Sequence, residues 1–144
     1  MEEKRQNVAQ WLRKNSGTLL ALAVALLTAL VLNMGAVRAA LDDDALRLRA
    51  TLAGSDRIAY DDIQAARLVE DFDRGTRDSG VRTLRLEAGT YVNELGSYRL
   101  YAYAKVPLCI DVRANGRHVV FNAATDEQTR ALYEQLTEKL PDVP

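Results

Sequence analysis

The sequence predicts an α+β chain: an N-terminal transmembrane helix, then an antiparallel strand-rich barrel or sandwich capped by one C-terminal helix. Three observations carry this. Residues 18–32 form an apolar run without a charge. Further on, Asn115-Gly116 joins two alternating apolar arms, which is the signature of a hairpin. Near the end, Leu132, Leu136 and Leu140 recur at i, i+4 and i+8 behind a capping sequence, as on one face of a helix.

The apolar run extends more weakly over residues 17–37. A helix of that length is roughly 31 Å, close to the hydrocarbon thickness of a bilayer. A domain of roughly 100 residues cannot enclose a helix that is apolar all round. The polar and basic flank, residues 1–16, holds Lys4, Arg5, Arg13 and Lys14, with Trp11 placed as an interfacial anchor. These basic residues outnumber Arg38, Arg47 and Arg49 on the far side. The expectation is a single-pass protein of the cell membrane with its domain outside the cytoplasm. The alternative is a secreted or envelope-associated domain released from a cleaved signal peptide, binding lipid or glycan. Val37-Arg38-Ala39 would support a cut before Ala40.

The chain has 144 residues and a formal charge of −1. Residues 42–144 carry 14 Lys/Arg against 18 Asp/Glu, a balance of −4, which gives no general attraction to nucleic acid or anionic lipid. The single cysteine, Cys109, excludes an intramolecular disulfide and a thiolate metal cluster, and His118 is the only histidine.

One domain is expected over residues 45–140. Residues 45–51 alternate Leu46, Leu48 and Ala50 with Arg47, Arg49 and Thr51, the pattern of a half-buried strand. Gly54-Ser55-Asp56 reads as a turn, 57–60 as a short strand, and 64–69 as a strand whose Ala-rich start also suits a helix. Residues 71–80 read as a solvated loop. Its three Asp lack the spacing and closing Glu of a calcium loop. Residues 81–86 read as a strand and 87–96 as irregular, with glycines at 89 and 96. Residues 97–105 alternate, with Tyr98, Leu100, Ala102 and Ala104 on one face and Arg99, Tyr101, Tyr103 and Lys105 on the other. In the hairpin, Leu108, Ile110, Val112, Val119 and Phe121 should share the core side. Thr125 and Gln128 form the capping sequence, and Pro141 ends the helix.

The order of about six or seven strands and one C-terminal helix resembles a pleckstrin-homology-like fold. The residues also resemble a bacterial pleckstrin-homology domain family found in small membrane-anchored proteins. The resemblance lies in Gly96-Ser97-Tyr98-Arg99-Leu100, Val106-Pro107-Leu108 and Val119-Val120-Phe121-Asn122. It continues in the run from Thr125 to Tyr133 and in Ile58-Ala59-Tyr60-Asp61-Asp62-Ile63. It implies a pleckstrin-homology-like antiparallel barrel and no established catalytic residues. Eukaryotic relatives that bind phosphoinositides use a basic cluster in the first strand-to-strand loop. Here that loop is Ala53-Gly54-Ser55-Asp56 with only Arg57 beside it, which puts phosphoinositide binding in doubt.

Functionally the expectation is a non-catalytic binding module anchored through residues 17–37, with a protein partner and no cofactor, metal or nucleic acid. One histidine, no dense acid/base cluster and no glycine-rich phosphate loop give no catalytic constellation. Arg99, Tyr101, Tyr103 and Lys105 are the candidate binding residues, because aromatic and basic side chains on one face suit an interface; packing in the core and at the sheet edge explains the tyrosines as well. Cys109 alternates away from the core side, which leaves access to its thiol open, but it reads as a small strand residue rather than a reactive thiol, and His118 reads as an exposed hairpin residue.

Overall fold

The computed structural model describes residues 2–33 and 35–141, and the chain divides into two compact units at residue 34. The first unit holds α1 (Glu2–Lys14) and α2 (Ser16–Asn33), linked by Asn15, whose N–H donates to Trp11 O at 3.0 Å. Leu20, Leu22, Val24, Leu26, Leu27 and Leu30 of α2 are all exposed, so the helix has no polar stripe. It runs for 18 residues, about 27 Å, short of the expected span.

The last residues of that span belong to the second unit. Ala36 N–H donates to Thr51 Oγ1, and Val37 pairs with Ala50 and is buried. The transmembrane helix expected over 17–37 is therefore corrected: among the described residues no helix is long and apolar enough to cross a membrane. The strand that replaces its end, β1 (Val37–Leu41), also contains the position of the expected cut before Ala40.

Among the described residues nine strands follow in two sheets. The smaller has the order β1-β2-β3, with β2 at Ala45–Ala50 and β3 at Gly54–Ala59. The larger has the order β4-β8-β9-β7-β6-β5. Its strands are β4 (Ile63–Val69), β5 (Thr76–Arg82), β6 (Leu86–Asn93), β7 (Gly96–Tyr103), β8 (Cys109–Ala114) and β9 (Arg117–Phe121). The expected antiparallel barrel or sandwich needs a second correction. β7 and β9 are parallel over Arg99–Tyr101, and the β8–β9 hairpin is inserted between β4 and β7. The α+β class with one C-terminal helix holds.

The hairpin forms where expected, with Asn115 at φ 50° and Gly116 at φ 74°, both in the region a type I′ turn requires. Residues 76–80, expected in a loop, and 87–93, expected to be irregular, are instead paired strands. Gly80 lies opposite Gly89 there. A Cβ at Gly89 would stand 2.2 Å from Ser79 O, and one at Gly80 2.2 Å from Ala88 O. These glycines are not loop punctuation. They permit a close backbone approach between two strands.

The main core lies between the sheets. Leu46, Leu48 and Ile58 of the small sheet meet Tyr101, Ile110, Val112 and Phe121 of the large one. The helix α3 (Asp126–Lys139) adds Leu136 to this core. Thr125 Oγ1 caps it by accepting the Gln128 N–H at 3.1 Å. A second, smaller core covers the other face of the large sheet, where Phe72 packs on Tyr91, Tyr98, Leu100, Ala102, Cys109 and Val120. Arg74 pins that segment down, donating to Glu87, Ala104 O, Tyr103 O and Val106 O.

Candidate functional site

Because both faces of β7 carry a core, the four candidate residues do not form one continuous exposed face. Tyr101 is 0% exposed. Its hydroxyl donates to Asp56 Oδ2 at 2.5 Å and accepts from Arg99 Nη2 at 2.7 Å. Burial first, then the bond to Asp56, pushes its phenol pKa up to about 12. Arg99 is half-buried and donates to Asp56, Thr90 Oγ1 and Ala53 O. Burial pulls its pKa down, but the bonds to Tyr101 and Asp56 outweigh that and leave it raised. Tyr103 is half-buried, its hydroxyl donating to Val37 O at 3.3 Å, with the Arg85 guanidinium 5.9 Å from its ring centre. Only Lys105 is exposed, in the turn after β7. The structure joins Arg99 to Tyr101, places Tyr103 towards β1, and leaves Lys105 apart.

Cys109 is closed off rather than accessible. It is buried in the smaller core, 3.7 Å from Asn122 Nδ2, and burial raises its thiol pKa. His118 is partly buried rather than fully exposed. Its Nδ1 lies 2.8 Å from Asp111 Oδ1, and Asp111, itself buried, takes Arg67 Nε at 3.0 Å on its other oxygen. This fixes the imidazole on the same face of β9 as Val120. Among the described residues no group of three or more His, Cys, Asp or Glu side chains is placed to hold a metal ion.

Among the described residues a groove of about 770 Å³ lies beside β3, an outer strand of the small sheet. One wall is Asp56, Arg57 and Ile58 of β3. The opposite wall comes from the large sheet, with Thr90, Ser97, Arg99, Ala114, Arg117 and Val119. Arg99 and Asp56 clasp each other across it at 3.1 Å.

The backbone of β3 is the informative part of that wall. Among the described residues β3 pairs with β2 alone. Tyr60 N–H bonds to Asp44 O, and in an antiparallel ladder bonded pairs alternate. In the observed register Gly54, Asp56 and Ile58 therefore turn their N–H and C=O groups to β2. Ser55, Arg57 and Ala59 turn theirs to the open edge. The sequence offered no signal for this edge, because Gly54-Ser55-Asp56 reads as a turn and the neighbour of a strand is set by tertiary pairing. No family model, curated protein or solved structure matches the chain.

Proposed function

We propose that residues 35–144 are a non-catalytic binding module that takes an extended polypeptide segment as an added strand on β3. The observation that carries this reading is the edge of β3, unpaired among the described residues, forming one wall of the groove of about 770 Å³. An added strand gains main-chain hydrogen bonds from the edge and selectivity from pockets at alternate side chains. Ile58, Ala114 and Val119 offer apolar contacts inside the groove, and Thr90 and Ser97 offer hydroxyls. The polar groups there serve binding better than catalysis. Arg99 and Asp56 are committed to each other, and the ring of His118 is turned to Asp111.

The test is a titration of the full chain with a six-residue peptide of alternating Thr and Val, followed by amide NMR. Shifts should centre on Ser55, Arg57 and Ala59. Arg57→Pro removes an N–H that β2 does not use, so the fold is retained while the peptide loses its partner. Arg57→Ala should keep binding. Shifts that map elsewhere, or that survive Arg57→Pro, contradict the proposal.

A further inference from the structure

We infer that the segment added to β3 is acidic at the alternate residues that face away from the groove. This rests on the reading of β3 as the binding edge and names the chemistry of its partner.

The groove-distal face of the small sheet carries its charges in two cross-strand rows. Arg38 of β1 stands opposite Arg49 of β2, and Arg49 opposite Ser55 of β3. In the next row Ala40 stands opposite Arg47, and Arg47 opposite Arg57. Like charges directly opposite one another repel. Two of the four arginines are neutralised from within: Arg47 by Asp42 at 2.6 Å and Arg57 by Asp44 at 2.5 Å. Among the described residues neither Arg38 nor Arg49 has an acidic partner within ion-pair distance. The face thus keeps a positive surplus in a domain whose overall balance is negative.

An added strand extends both rows by one position. Its residue in the second row lies directly opposite Arg57. Its residue in the first row lies beside Ser55, a side chain small enough to leave Arg49 as the nearest charge. Glu or Asp in the first row meets the unpaired charge of Arg49, and in the second row shares the exposed Arg57 guanidinium with Asp44, while Lys or Arg in either row adds to the repulsion. Residues facing the groove alternate with these; one meets Ile58, which suits an apolar side chain, and the next meets Asp56, already paired with Arg99.

The experiment compares two six-residue peptides on the full chain, one alternating Glu with Val and one alternating Lys with Val, by amide shifts at Ser55, Arg57 and Ala59. The Glu peptide is expected to bind at least about tenfold more tightly at low salt, with the ratio shrinking at about 0.5 M salt. Arg57→Glu should reverse the preference. Should that variant fold poorly, Arg49→Gln, at an exposed position free of ion pairs, should narrow the ratio in its place. Equal binding of both peptides at β3 overturns the acidic partner and leaves strand addition standing. No binding of either peptide, nor of the Thr-Val peptide, at β3 overturns both.

Discussion

The Arg99 Nε lies 3.1 Å from the Asp56 carboxylate, a contact that ties the interior of the large sheet to the edge strand of the small one. The same carboxylate oxygen accepts the Tyr101 hydroxyl. Three polar groups thus share one partly enclosed position where the sheets part, with Arg99 reaching Ala53 O and Thr90 Oγ1 as well. Asp56→Ala should cost about 1–3 kcal/mol, since it leaves the buried phenol without its acceptor and the half-buried guanidinium without its only carboxylate among the described residues. Urea unfolding of the full chain measures it. A loss near zero would mean that water replaces the carboxylate.

Tyr101→Ala should be worse, about 3–5 kcal/mol, because it empties a fully buried aromatic position between the sheets. Tyr103→Ala should cost less, as its ring is only half-buried. Equal losses for the two would contradict the placement of Tyr101 in the core.

Alkaline pH should unfold the domain through its phenols. The folded pKa of Tyr101 is raised to about 12 from the ordinary value of 10.0. A raised folded pKa means that the folded state holds the proton more tightly. The associated stability is complete below about pH 10 and is lost as pH rises towards about 12. Tyr98, Tyr91 and Tyr60 are shifted in the same direction, chiefly by burial. Stability by denaturant should be level to about pH 9 and then fall, with tyrosinate absorbance appearing as the fold is lost. Full ionisation near pH 10 with the fold intact would contradict the buried phenols.

Gly89→Ala should destabilise by about 1–3 kcal/mol or more, since its φ of 138° disfavours a side chain and the new methyl would strike the opposite backbone. Gly96→Ala tests the distinction. Gly96 also has a positive φ, but its Cβ would meet nothing within 4 Å, so the cost should be smaller. Thermal unfolding of the two variants side by side is the measurement.

The contrast between these glycines shows what was legible in the sequence. The Asn115-Gly116 hairpin, the Thr125 cap and the inward Leu136 are local patterns, and each formed where the residues predicted it. Gly80 and Gly89 carry the same letter as a loop glycine, yet their role depends on a strand nine residues away. The alternation in residues 97–105 correctly divided Tyr101 from Leu100. It did not show that a segment carrying Phe72 would cover one face and a second sheet the other. Arg99 was singled out for its charge, but its partner Asp56 lies 43 residues earlier. The edge of β3 and the arginine rows depend on register, which period alone leaves free. The apolar run over 18–32 showed helix, but not that Val37 would begin a strand.

Hydrogen exchange at the Arg57 amide tests the central claim most directly. That N–H points to the open edge of β3 and has no partner strand, so it should exchange fast in the free protein. With the Glu-Val peptide bound it should slow by at least about tenfold, together with Ser55 and Ala59, while Asp56 and Ile58 change little. An Arg57 amide already protected in the free chain, or one whose rate does not respond to saturating peptide, would contradict β3 as the binding edge.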